Sequence, residues 1–428
     1  MRRLPKAVLR FVATEAAGGI CLLVAAMVAL AWANSPWGSS YDTFWSTDAT
    51  VGVGRWSLAL DLRHWVNDGL MAIFFFVAGL EIKRELVTGQ LAARRDAALP
   101  VVAAIGGMAV PALLYLAINA GGAGSRGWGI PMATDIAFAL GVLALLSRRI
   151  PSGLGVLLLS IAIVDDIGAV TVIALFYTDT IAIGWLMAAA GGLAVVVLMR
   201  RGRVWSTPAY VAAGVAVWVC TLESGIHATI AGVALGLLTP ARPLLPQVDA
   251  ERVADRLSSD ADVTSLEVRE VAFELRESVA VGDRLEHLIH PWTSFLVIPL
   301  FALANAGIPL SRSALADAAG SAITIGVVVG LVVGKVVGVG LGAWCAVRLG
   351  IARLPDGITW RHIIGVSSLA GIGFTVSIFV TGLAFADPEL QEQAKIGVLA
   401  ASTTAALLGV LVLRRGGQTG LVTRSKPL

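Results

Sequence analysis

With 428 residues, 57% hydrophobic side chains, 14% charged ones and a mean hydropathy of +0.82, the chain is too apolar for a water-soluble domain, where about a quarter of residues are charged. The formal net charge of +3 says little, because orientation depends on where the basic residues sit rather than on their sum, and no nucleic-acid partner is expected. Three scattered cysteines, Cys21, Cys220 and Cys345, provide neither a disulfide frame nor a metal-ligand spacing, and the remaining class is a polytopic membrane protein.

Arg2, Arg3, Lys6 and Arg10 precede an apolar run from Phe11 to Ala33, too long for a signal-peptide core and read as a retained first span. Further apolar runs at about 65–80, 98–119, 128–147, 153–176, 180–199, 207–222, 225–239, 289–307, 321–347, 361–385 and 394–413 bring the prediction to twelve transmembrane helices within a helical core over 11–413. In the loop 42–62, Thr50–Leu60 alternates weakly around Gly54-Arg55, which predicts an extracytoplasmic β-hairpin, with an ordinary loop as the other reading. An exposed strand edge there would let two copies pair. The cytoplasmic linker 240–285 is long and mixed in charge, with helical spacing of apolar residues over Val263–Val281. Residues 414–428 form a short tail.

The basic residues agree with this count. If the first span starts in the cytoplasm, 26 of the 32 Lys and Arg fall on the cytoplasmic side. Only Arg55, Arg63, Arg126, Arg312 and Lys395 fall opposite, and Lys335 lies inside a span. Such asymmetry predicts both termini in the cytoplasm.

Two spans carry marks of interruption. In Gly127–Phe138, Pro131 removes a backbone donor just ahead of Thr134 and Asp135. In Ser367–Ser377, Gly371 and Gly373 sit beside hydroxyl side chains. Unwound backbone at membrane depth survives only inside protein or against water, and a pair of such breaks points to a transport site at a repeat interface.

The segment 153–176 places Asp165 and Asp166 together at its centre. Adjacent helix positions are about 100° apart, so the two carboxylates face different surroundings. With Asp135 and Lys335 they make four ionisable groups in apolar runs, and a cluster is the economical arrangement. Carboxylates beside hydroxyl oxygens suit a small hard cation, and they also bind protons. A site that holds one or the other is the minimum machinery for exchange. A passive cation channel would use midplane acids without needing the lysine. An organic-solute transporter would need a larger, more aromatic cavity. No nucleophile–base pair or nucleotide loop marks an enzyme.

The motifs Ala133-Thr-Asp135, Ile163-Val-Asp-Asp-Ile-Gly168, Gly334-Lys335, Gly79-Leu-Glu-Ile-Lys-Arg-Glu-Leu86 and Ser224–Gly232 closely resemble the NhaA-type sodium/proton antiporters of bacteria, in order, from about Phe11 to Leu413. The resemblance implies an all-α membrane fold of twelve helices in inverted repeats, with interrupted helices at 128–147 and 361–385 crossing. It implies Asp166 as chief cation ligand, Asp165 paired to Lys335 and trading that bond for a proton, and Thr134 and Asp135 at the break. Asp135 would offset positive half-helix ends and Lys335 negative ones.

It further implies electrogenic, pH-regulated export of Na⁺ or Li⁺ against incoming H⁺ across the bacterial inner membrane, by a homodimer without cofactors. The pH response is associated with Glu81, Arg84 and Glu85 after the second helix, and with Glu286, His287 and His290 before the ninth. His227 is a weaker candidate. Departures from the family pattern are the long linker 240–285 and Asp283, where a basic residue is usual.

Overall fold

In lipid every backbone N–H and C=O must be bonded within its own segment, so apolar runs of this length become helices. The computed structural model describes residues 6–53, 56–146, 150–151, 153–178, 181–202, 204, 207–243, 269, 271–275 and 278–416. Each of the twelve predicted apolar stretches contains helix. Among the described residues, the α-helices longer than one turn are α1 (Lys6–Ala33), α2 (Gly38–Trp45), α3 (Met71–Val87), α4 (Arg94–Asn119), α5 (Ile136–Ala144), α6 (Gly153–Phe176), α7 (Ile183–Arg201), α8 (Thr207–Glu223) and α9 (Thr229–Leu238). They continue with α10 (Val281–Trp292), α11 (Ile298–Asn305), α12 (Arg312–Gly320), α13 (Ala322–Val328), α14 (Lys335–Arg348), α15 (Trp360–Leu369), α16 (Phe374–Ala384) and α17 (Pro388–Gly416).

Among the described residues, six helical segments are long and apolar enough to cross a bilayer, or nine if each of three bent pairs counts as one span. The shorter apolar helices over Pro208–Glu223 and Thr229–Leu238 come in addition.

Between α2 and α3, β1 (Asp48–Val53) and β2 (Trp56–Asp61) pair antiparallel, from Asp48 opposite Asp61 to Val53 opposite Trp56. The connecting Gly54-Arg55 lies outside the described residues, as do Arg148, Arg149, Arg203, most of the linker (244–268, 270, 276–277) and the tail beyond Gly416. The helix leading into the ninth stretch begins at Val281, ahead of the expected 289. Its polar face, with Asp283, Arg284, Glu286, His287 and His290, hides it from a hydropathy reading.

Glycines decide which helices touch. A Cβ at Gly338 on α14 would strike the Gly106 carbonyl of α4, and one at Gly342 would strike that of Val102. These positions, four apart, let the two backbones lie against each other. Gly232 and Gly236 on α9 do the same against α3. Three π-turns, Trp65–Leu70, Thr293–Val297 and Val329–Gly334, lead directly into α3, α11 and α14.

Among the described residues, the buried apolar side chains form two clusters. One holds Tyr41, Phe75, Ala133, Phe301 and Phe379, and the other Leu99, Leu140, Leu158, Val339, Ala370 and Ile372. The interrupted helices run between the two, so their breaks lie where the clusters meet.

Candidate ion site at two helix breaks

The first break follows a 3₁₀ segment, Ala123–Met132, with Pro131 near its end; the chain is extended at Ala133 and Asp135 and enters α5 at a bend of 44°. The second separates α15 from α16 at 48°. Both expected interruptions are therefore present, and they touch. The Asp135 N–H donates to the Ile372 carbonyl at 2.7 Å, and the Thr134 hydroxyl lies 2.9 Å from the Ala370 carbonyl.

Asp135, buried, caps two helices at once. Its Oδ1 accepts the Phe138 N–H of α5 at 3.0 Å. Its Oδ2 accepts the Thr375 N–H of α16 at 3.0 Å and the Thr375 hydroxyl at 2.5 Å. A side-chain oxygen here satisfies orphan amides, and both helix N-termini favour negative charge.

α6 passes the same point. Lys335 Nζ lies 2.6 Å from Asp165 Oδ2 and donates to Thr134 Oγ1 at 3.0 Å; Thr134 Oγ1 is in turn 2.8 Å from Asp165 Oδ2. Lys335 and Asp165 are both 0% exposed, so this is an ion pair wholly removed from solvent, which charge-assisted hydrogen bonds must hold. Lys335 reaches the carbonyl end of α15 through Thr134 rather than directly.

The approach of Lys335 is set by packing. The π-turn before it seats Gly330 against Pro131 and Gly334 against Pro111. Gly107 lies across from the pair, where a Cβ would stand 3.9 Å from both Asp165 Oδ1 and Lys335 Cδ. That Oδ1 is buried and has no hydrogen-bond partner among the described residues.

Asp166 faces elsewhere, as adjacent helix positions require. It is 8% exposed, and the charged groups acting on it are Asp165, Glu81, Asp135 and Lys335. The cluster thus offers the carboxylates of Asp165 and Asp166, the former with its Oδ1 unpartnered among the described residues, and the Thr134 hydroxyl, a donor set that suits a small hard cation.

Of the six residues expected at the cytoplasmic mouth, five are linked electrostatically: Glu286, Glu81 and Glu85 act on Arg84, and His290 acts on Glu286. Arg84 of α3 and Glu286 of α10 make an ion pair. Glu85 accepts the Gln90 N–H at 2.9 Å, closing the turn after α3. Glu81 acts on Asp166, as noted above. His290, half-buried, acts on Glu286, whereas His287 is exposed. His227 Nε2 lies 2.8 Å from the Tyr177 carbonyl just past the end of α6.

Sequence reasoning missed the Ala370 and Ile372 carbonyls and the Thr375 amide. Backbone groups leave no residue-type signal, and Gly371 and Gly373 were the available hint.

Residues 9–413 match the family described as Na+/H+ antiporter 1. The chain belongs to this family. Among similar proteins, the Na(+)/H(+) antiporter NhaA 3 of Frankia alni is 48% identical over 422 residues, covering 97% of this chain and 90% of that one. The Na(+)/H(+) antiporter NhaA 2 of Sorangium cellulosum is 46% identical over 415 residues, 95% and 89% of the two chains. The Na(+)/H(+) antiporter NhaA of Acidithiobacillus ferrooxidans is 46% identical over 419 residues, 94% and 96%. Membership of the Na+/H+ antiporter 1 family agrees with the apolar helices: this is a multi-pass membrane protein of a transporter family.

Proposed function

We propose that the chain exchanges cytoplasmic Na⁺, or Li⁺, for external protons at the site where the two helix breaks meet. The observation that carries this reading is the solvent-free Lys335–Asp165–Thr134 contact with Asp166 beside it. Without a cation, Asp166 carries a proton and Asp165 is balanced by the Lys335 ammonium. When Na⁺ arrives, Asp166 is its chief ligand and gives up its proton. Asp165 turns toward the ion, Lys335 loses its partner, and the lysine releases its own proton. The site is thus neutral with its protons bound and carries one net negative charge with Na⁺ bound, because two protons leave for one ion. More protons leave than sodium ions enter, so the exchange moves net charge.

Alternating access follows if the breaks shift relative to α6 while Asp135 keeps α5 and α16 joined. The reading includes twelve crossings in inverted repeats, both termini in the cytoplasm, residence in the bacterial inner membrane and a homodimer paired through β1–β2. Regulation by pH is assigned to the groups at the ends of α3 and α10: Glu81, Arg84, Glu85, Glu286, His287 and His290.

The test uses everted vesicles holding an acid interior. Added Na⁺ should dissipate the proton gradient, and Asp166→Asn should abolish the response. Full exchange by that variant would remove Asp166 from the site, and sodium flux with no coupled proton movement would replace exchange by conduction.

A further inference from the structure

α15 is the first half of the second interrupted helix, and its far end supplies the Ala370 and Ile372 carbonyls that meet Thr134 and Asp135. Its start is held by an uncommon capping box. Thr359 is the N-cap, extended at φ −111° and ψ 166°, and the residue three positions on is His362. The Thr359 N–H donates to His362 Nδ1 at 3.1 Å, and the Thr359 hydroxyl lies 3.2 Å from the same nitrogen. Glu or Gln is the usual residue there, because a side-chain oxygen accepts the N-cap amide at any neutral pH.

An imidazole accepts that amide only through a nitrogen lone pair. Nδ1 facing a backbone N–H is therefore unprotonated, and the ring proton sits on Nε2. A doubly protonated ring has no lone pair, so the same N–H would face another N–H. It would also place a positive charge at a helix N-terminus, where the dipole opposes it. His362 is 8% exposed, so a charged ring would gain little solvation.

The surrounding charges point the same way. Arg361 is the charged neighbour that acts on the ring. Of the elements packed against α15, α14 ends in Arg348 and α17 ends in Arg414 and Arg415, with Gly365 seated on Leu413. The segment leading into α15 carries Arg353 and Asp356. Arg148 and Arg149, which follow α5, lie outside the described residues. No described titratable carboxylate bonds to the imidazole to offset a proton on it.

We propose that His362 is a positioning residue for the exchange site. Unprotonated, it fixes the start of α15; protonated, it releases the capping box. α15 is 10 residues long, so a cap at one end and the site carbonyls at the other are separated by about 15 Å of rigid helix. Loosening the first turn therefore shifts the acceptors of Thr134 and Asp135, and the site loses its geometry as the cytoplasmic end of α15 is acidified. This rests on the exchange reading above, and it adds a sensor remote from the groups named there.

The experiment compares the wild type with His362→Gln and His362→Ala in everted vesicles across the histidine range, about pH 5.5–8.5. Gln supplies the usual oxygen acceptor and has no ring to protonate. It should match the wild type within about twofold at the alkaline end and retain at least about threefold more exchange at the acidic end. Its half-maximal pH should move down by about half a unit or more. Ala, lacking the cap at every pH, should lose several-fold throughout.

A Gln profile superimposable on the wild type, or an Ala variant with full exchange, overturns the proposal. Hydrogen exchange at residues 359–364 in detergent gives a readout free of transport. Relative to His362→Gln, the wild type should lose protection on acidification, and equal protection at both ends overturns the cap switch. A wild type that moves no protons but shows the protection change would sink the exchange reading and leave the cap standing.

Discussion

At the residue scale, the site is a problem of buried charge. Asp165 and Lys335 are each other's only full neutralisation within 4 Å among the described ion pairs. Removing one leaves the other uncompensated, which costs about 3–5 kcal/mol, whereas replacing both with apolar or neutral groups of similar shape is far cheaper. Lys335→Ala should therefore lower the thermal midpoint in detergent steeply, and Lys335→Met with Asp165→Asn should recover most of the loss. A single variant as stable as the wild type would show that the pair is not closed in the resting protein.

Asp135 gives a second test at this scale. Thr375→Ala deletes the hydroxyl bond to its Oδ2 and keeps the amide bond. Hydrogen bonds to charged groups are worth about 1.5–3 kcal/mol, so Thr375→Ala should destabilise by that order while Thr375→Ser stays near the wild type. Four of these residues were legible in the sequence, because Asp135, Asp165, Asp166 and Lys335 are conspicuous in apolar runs. Thr375 was not, since its role depends on which helix start its amide occupies. His362 was illegible for a related reason: its meaning lies in which ring nitrogen faces the Thr359 amide.

At the element scale, the breaks were visible and their mutual contact was not. Pro131, Gly371 and Gly373 mark where helix must fail, but nothing in one dimension says that the Asp135 amide will find the Ile372 carbonyl. The π-turn before Lys335 also left no trace in the sequence beyond its glycines. The helix pair that brings Lys335 to Asp165 is more readable in retrospect, through Gly338 and Gly342 facing Gly106 and Val102.

Overpacking a close interface typically costs about 1–3 kcal/mol, and more where backbone must move. Gly338→Leu should therefore lower the thermal midpoint and weaken exchange together, because it lifts α14 off α4. Gly340, with nothing within 4 Å of a built Cβ, is the control: Gly340→Ala should leave both measurements unchanged. Equal effects at 338 and 340 would detach this packing from the site.

At the scale of the whole molecule, the orientation argument is electrostatic and independent of the ion site. Lys and Arg are retained on the cytoplasmic side during insertion, and 26 of 32 fall there only if the spans alternate as predicted. The most exacting place to check is α10–α11, because it joins the long linker to α12 through one helical segment, Val281–Asn305, that is long and apolar enough to cross. Its two ends must then lie on opposite sides.

With Cys21, Cys220 and Cys345 replaced by serine, Ser313→Cys on α12 should react with a membrane-impermeant maleimide in intact cells. Ser278→Cys, before α10, should react only after the membrane is opened. Labelling of both in intact cells would make Val281–Asn305 a re-entrant segment. It would also reverse the sidedness assigned to Arg84 and Glu286, whose pairing ties the end of α3 to α10. The same result would leave the start of α15 in the cytoplasm, because α12 is outside in either case and the span α13–α14 separates the two. His362 would still sense the cytoplasmic proton concentration, and only the groups at the ends of α3 and α10 would change sides.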